Sequence, residues 1–229
     1  MRFFVAAALV QLLLACSSVG GDALTIINAA RQSTSSSSTL PDFSSGLDPK
    51  YRYLWVQAGD DRAAVLALGF EEVTPQGTLE TWYATGGGFI QTLNGRLASS
   101  QGLQSQWAAV KWIGQPGLGD QIASDVRRFR DVLPSYVFGV EDQLHTESMP
   151  FAQVPPSVLP EFGPSGFWSK YRWFKERVVT TPGTMSVQDS WFATGSHRAQ
   201  SRTIVASYQC MDQHYCLKTA RWPLEPEKN

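Results

Sequence analysis

The chain has little of what most catalytic sites are built from. It holds three histidines and three cysteines in 229 residues. Only Cys210, His214 and Cys216 lie close together, one ligand short of a closed zinc site. No Gly-x-Ser-x-Gly is present, so a nucleophile elbow is excluded, and Ser196-His197 beside Gly195 reads as a hairpin turn. Gly86-Gly87-Gly88 lacks the Lys-Ser/Thr of a phosphate-binding loop and lies between two strand patterns, so it too is a turn. Charge is scarce and balanced, with 19 basic against 20 acidic residues, which leaves no basic footprint for nucleic acid. No apolar run reaches the roughly 20 residues of a membrane-spanning helix. The longest candidate, Phe3 to Leu14, is interrupted by Gln11.

That apolar stretch has another use. It follows Arg2 and ends in Leu13-Leu14-Ala15-Cys16, a bacterial lipobox: a thiol for diacylglyceryl transfer, preceded by a small residue for the signal peptidase. Residues 1–15 are therefore expected to be a lipoprotein signal peptide, and Cys16 the lipidated first residue of the mature chain. Ser17, in place of Asp, favours onward transport to the outer membrane, on its periplasmic face. Residues 16–50 read as a lipidated N-terminus and flexible tether. A brief helix-like piece, Ala23 to Arg31, precedes a Ser/Thr tract, Ser33 to Thr39, that cannot bury enough surface to fold. Export delivers Cys210 and Cys216 to an oxidising compartment, where a disulfide across a short turn is expected.

Residues 51–229 carry a β pattern. Tyr51 to Val56 and Ala63 to Leu68 flank the turn Gly59-Asp60-Asp61. Leu79 to Thr85, Phe89 to Leu93 and Arg96 to Ser99 follow, and Asn94-Gly95 is a strong two-residue hairpin signal. Further strands are expected at Gln106 to Trp112, Tyr136 to Leu144, Gly166 to Thr180, Met185 to Thr194, Arg202 to Gln209 and Leu217 to Trp222. Ile122, Val126 and Phe129 recur at helical spacing, which predicts one short helix over Leu118 to Val132, ended by Pro134. The Pro-rich connection Pro150 to Pro164 is expected outside the core. The fold class is thus mainly β: a large, mostly antiparallel sheet, barrel or half-barrel, with one short helix.

Eight Trp, twelve Phe and seven Tyr suit either a β core or a sugar-binding surface. The best binding candidate is the segment Trp168 to Lys175: Trp168 and Tyr171 to stack on sugar rings, and Arg172 to pair with uronic acids or phosphates. Strand alternation would instead put such rings into the core. Glu71, Glu72 and Glu80 lie near aromatics and are the acids a glycoside hydrolase would need, but they read as solvated strand-end charges.

Segments in order along the body resemble the YjbF family of bacterial lipoproteins. They are Tyr51-Arg52-Tyr53-Leu54, Leu68-Gly69-Phe70, Glu80-Thr81-Trp82-Tyr83, Leu93 to Leu97, Gly102-Leu103, Arg128 to Asp131, Leu133 to Tyr136, Trp173 to Arg177, Ser207-Tyr208-Gln209 and Arg221-Trp222-Pro223. The resemblance implies a lipid-anchored β domain that assists assembly or export of an exopolysaccharide or capsule. It supplies no catalytic residue, and the residues themselves lead to the expectation of no metal and no cofactor. The expected partners are the membrane, through the anchor, and either the exopolysaccharide or other proteins of the export machinery. The alternatives are a periplasmic polysaccharide-modifying enzyme using a carboxylate pair, and a structural envelope interaction module.

Overall fold

The computed structural model describes residues 47–61, 63–114, 118, 126–162, 166–181, 187–195 and 203–222. The signal peptide, Cys16, the helix-like piece, the Ser/Thr tract and Ser196-His197 lie outside the described residues.

Among the described residues twelve strands form one sheet. The first six are β1 (Tyr53–Ala58), β2 (Ala64–Thr74), β3 (Gly77–Tyr83), β4 (Phe89–Leu93), β5 (Arg96–Gln101) and β6 (Gln106–Ile113). The others are β7 (Val126–Leu133), β8 (Val137–Met149), β9 (Arg172–Thr180), β10 (Ser190–Thr194), β11 (Ile204–Cys210) and β12 (Cys216–Trp222). Every pairing is antiparallel, in the order β5-β4-β3-β2-β1-β12-β11-β10-β9-β8-β7-β6. The first and last strands are thus neighbours, and the sheet curls into a nearly closed barrel whose seam lies between β5 and β6.

Side chains stitch the upper part of that seam. Trp107 N–H donates to Ser100 Oγ at 3.1 Å, and Trp107 C=O accepts from Ser99 Oγ at 3.2 Å. Lower down, β5 leans across the barrel toward β11. Leu97 N–H donates to Gln209 Oε1, and Gly95 lies so close to Ile204 that a Cβ on it would stand 2.5 Å from the Ile204 Cβ. The Asn94-Gly95 hairpin therefore needs its glycine twice, for its positive φ of 83° and for this approach.

Over its described residues the predicted helix is not there. Val126–Leu133 is a strand, Leu118 stands outside any helix, and Ile122 lies outside the described residues. The period that decides is two: Val126, Arg128, Arg130 and Val132 are all buried on the inner face. The helical spacing of Val126 and Phe129 is overruled because the alternating arginines have acidic partners inside. The described residues contain no α-helix, only three short 3-10 turns: Phe151–Gln153, Pro156–Val158 and Phe167–Lys170.

The Pro-rich connection also departs from expectation, since Val154, Val158 and Phe162 are buried in the core. Outward residues of β1 and β9–β12, among them Tyr53, Trp55, Trp173, Trp191 and Ala206, form an apolar face that must be covered. The connection lies on it. Its prolines bring no N–H, and its turns pair their own backbone, as in Gln153 N–H to Pro150 C=O and Val158 N–H to Pro155 C=O.

At the top of the barrel Cys210 and Cys216 are disulfide-bonded, as expected. The bridge holds a loop in which Asp212 Oδ1 accepts from the N–H groups of His214 and Tyr215. Met211, fully buried, is folded inward as a plug, and its carbonyl accepts from Trp107 Nε1 at 2.9 Å. Replacing both cysteines by serine is expected to cost about 2 kcal/mol, the entropy of so short a loop. A lowered urea midpoint with unchanged slope would report this; an unchanged midpoint would show that the bridge is idle.

Candidate functional site

The lumen is the natural place to look for a site in a barrel, and it is full. Arg128 donates from Nε and Nη2 to Asp142 Oδ2 at 2.9 and 2.7 Å. Arg130 donates from Nε to the same oxygen at 2.7 Å and from Nη2 to Oδ1 at 3.1 Å, where Thr180 Oγ1 also donates. Across the barrel Arg96 donates from Nε and Nη2 to Glu176 Oε2, at 3.1 and 2.7 Å, and Thr146 donates to the same atom. All of these charged groups are at most 2% exposed. The guanidiniums also stack on rings: Arg128 stands 4.2 Å and Arg130 4.9 Å from the Trp107 centroid, and Arg96 4.8 Å from that of Phe192. Beside Leu54, Trp82, Ile204 and Arg221 a space of about 10 Å³ remains, room for roughly one water.

Burial alone would push the Asp142 carboxyl up, but the charge of Arg128 and the hydrogen bonds and charge of Arg130 outweigh it and hold the group below the usual carboxylate range. Burial likewise draws the Arg128 guanidinium down from its ordinary value, against the pull of Asp142. The sequence reading gave these residues no buried, paired role; the signal was the apolar-flanked Arg-x-Arg of a period-two strand.

The carboxylate candidates divide. Glu72 is exposed and Glu71 partly so, as expected of strand-end charges, but Glu80 is 2% exposed. Its oxygens accept from Arg221 Nη1 and Nη2, and Oε2 also accepts from Thr92 Oγ1. The expectation of a solvated charge fails here because β12 carries Arg221 on the inner face beside it. Glu71 and Glu80 are cross-strand partners, and Arg52 bonds Glu71 while standing 3.9 Å from Glu80. Two guanidiniums thus neutralise the pair.

Trp168 is part of the cover. It is 5% exposed, its Nε1 donates to Phe162 C=O at 3.1 Å, and its ring packs against Phe162, Phe167 and Tyr171 at 5.5, 5.0 and 5.5 Å. Trp173 Nε1 in turn donates to Trp168 C=O. Tyr171 is half-buried, with Lys170 Nζ 5.2 Å from its ring centre and 4.2 Å from that of Phe167. Arg172 is exposed, its guanidinium 5.7 Å from the Phe174 ring. The three candidates stand side by side, but only Tyr171 and Arg172 reach the surface, and Lys170 already occupies the neighbouring rings. Gly86-Gly87-Gly88 forms a turn, with Ala84 N–H bonded to Gly88 C=O. With Cys210 and Cys216 joined, no thiolates remain for the Cys-His metal alternative, and no group of three potential ligands occurs among the described residues.

Among solved structures, the chain is similar to the hypothetical lipoprotein YmcC from Escherichia coli (K12), at 14% identity, with 77% of this chain and 85% of that chain covered and a TM-score of 0.49. No protein-family model and no curated protein matches the chain.

Asp142→Asn is expected to destabilise the barrel by about 3–5 kcal/mol near neutral pH, because it strands two buried guanidiniums. The sign with pH follows from the lowered carboxyl. Its contribution is full above the unfolded value of about 3.9 and is lost as pH falls through the folded-state value. Urea unfolding between pH 7 and pH 2 should show the gap between wild type and variant closing only on that acid limb. A pH-independent gap would refute the assignment.

Proposed function

We propose that this chain is a lipid-anchored envelope protein that assists assembly or export of an exopolysaccharide, held at the periplasmic face of the outer membrane and without turning the polymer over. The observation that carries the reading is Leu13-Leu14-Ala15-Cys16 at the end of a short apolar segment, ahead of a Ser/Thr tether and a β body. The ordered resemblance to the YjbF lipoproteins supplies the polysaccharide. A packed interior supports contact with glycan or with an export protein on the outside of the barrel rather than passage through it.

A polysaccharide-modifying enzyme is the second reading. Glu71 and Glu80 face one another across β2 and β3, which favours it geometrically. Glycosidic cleavage needs one acid free to give a proton and another open to the sugar or a water. Glu80 is sealed and doubly bonded by Arg221, which disfavours that role. The third reading, a structural envelope module, predicts partner capture with no glycan affinity.

Cells fed a fatty-acid analogue should label the wild-type protein and not Cys16→Ala, and the labelled protein should fractionate with the outer membrane. Equal labelling would overturn the anchor. Deleting the protein should lower the amount or surface delivery of the exopolysaccharide, while the purified protein leaves that polymer uncut. Unchanged secretion would remove the export role, and cleavage lost in Glu71→Gln or Glu80→Gln with the fold intact would promote the enzyme.

A further inference from the structure

The cover hides the outer face of β1 and β9–β12 and reaches Val65 and Ala67 at the start of β2, but farther out Phe70 on β2 and Tyr83 on β3 stay exposed. The register of β2–β5 sets Ala67, Tyr83, Phe89 and Gln101 in one row across the four strands, and Phe70, Thr81, Gln91 and Ser99 in the next. Alternation turns Glu80, Trp82, Ile90 and Thr92 inward, so both rows face out. Phe70 is 54% and Tyr83 50% exposed, with Phe89 half-buried beside Tyr83. The Tyr83 and Phe89 ring centres lie 6.4 Å apart, with the planes inclined at 56°.

The position of Tyr83 is built into the backbone. The register shifts between Leu68 and Phe70, and the ring lies against Gly69, where a Cβ would stand 2.5 Å from Cδ2. Any side chain at 69 would push the ring away. Gln91 Nε2 donates to Thr81 Oγ1 at 3.1 Å, which fixes a carboxamide beside the rings. Neither row contains a charged residue. The first outward charge beyond them on β2 is Glu72, which is negative.

We propose that this face binds an uncharged stretch of polysaccharide, stacking sugar rings on Tyr83 and Phe89, with Phe70 at the margin and the carboxamides of Gln91 and Gln101 bonding hydroxyls. The inference deepens the export reading above and rests on it for the choice of a glycan. The chemistry on the page argues for a neutral polymer: the apolar faces of sugars stack on rings, hydroxyls suit amides, and a uronic polymer would meet Glu72 and no cation within the rows. The patch also differs from the Tyr171 and Arg172 surface, whose rings are already covered by Lys170.

The test is native affinity electrophoresis of the full chain, purified with its anchor in detergent, through gels containing hydroxyethyl cellulose or alginate. Hydroxyethyl cellulose should slow the protein and alginate should not. Tyr83→Leu and Phe89→Leu should each weaken the retardation at least tenfold, and Gly69→Ala should do the same by displacing the ring. Tyr171→Leu should leave it unchanged. Melting temperatures within a few degrees of wild type separate lost contact from lost fold, and Phe89→Leu serves if Gly69→Ala fails to fold. No retardation by hydroxyethyl cellulose, preference for alginate, or retardation that survives the Tyr83→Leu/Phe89→Leu double variant overturns the proposal. So does a protein partner captured through Tyr83 without glycan binding. If the deletion strain loses polymer and the double variant restores it fully, this surface is wrong while the export role stands. If the face binds glycan and deletion changes nothing, the surface stands and the export role falls.

Discussion

The structure depends on carboxylates held inside a wide barrel. Eight strands make a ring that ordinary side chains can fill, and twelve leave a broader interior. Here the gap is spanned by arginines, long enough to cross it and flat enough to lie on Trp107 and Phe192. A buried guanidinium is costly unless it is both paired and hydrogen-bonded, so each needs an acceptor at a fixed depth. Asp142 serves two arginines from β7, Glu176 serves Arg96 from β5, and Glu80 serves Arg221 from β12. The Arg128 and Arg130 pairs with Asp142 lock the neighbouring strands β7 and β8, whereas Arg96–Glu176 and Arg221–Glu80 join strands that are not neighbours in the sheet order and so resist flattening of the ring as well as filling it.

The ends and the seam follow from that interior. Trp107, the ring under Arg128 and Arg130, also donates to the Met211 carbonyl, so the disulfide-held plug at the top is tied to the ion pairs below it. At the seam β5 and β6 cannot form a ladder along their whole length, because β5 leans inward to bring Arg96 to Glu176. Serine hydroxyls and the Gln209 carboxamide take up Trp107 and Leu97 backbone groups that a ladder would have paired. An incompletely closed barrel is thereby kept free of an open, sticky edge at these positions.

The strands and their turns were legible because they are local. Asn94-Gly95, Gly59-Asp60-Asp61 and Gly86-Gly87-Gly88 mark turns by backbone chemistry that acts over two or three residues, and Phe89–Leu93 is bounded as its sequence predicts. The ion pairs were not, because Arg96 and Glu176 are 80 residues apart, and Glu80 and Arg221 are 141 apart. Without those partners Arg128 and Arg130 look like solvent-facing residues of a helix, which is how β7 is misread. The same blindness affects the cover: nothing local in Pro150 to Pro164 tells that β1 and β9–β12 present an apolar outer face for it. Of the candidate contacts, Trp168 could be weighed both ways from sequence, whereas Tyr83 draws its exposure from Gly69 on the neighbouring strand.

An interior filled by its own ion pairs also restricts what the protein can do for a polymer. Among the described residues Arg96, Arg128, Arg130, Asp142 and Glu176 fill the lumen, and opening a path for glycan between them would require separating several buried charge pairs at once. One side of the barrel wall is already spent on the cover formed by residues 150–162 and 166–171. What remains is outer surface of two kinds: the uncharged ring-bearing face of β2–β5, and the mixed-charge face of β6–β9, where Arg127 pairs with Glu141 and Glu147 opposes Lys175. The first suits a ligand that offers hydroxyls and apolar ring faces without charge. The second carries interspersed charges of both signs, a pattern that governs the orientation of a contact more than its strength.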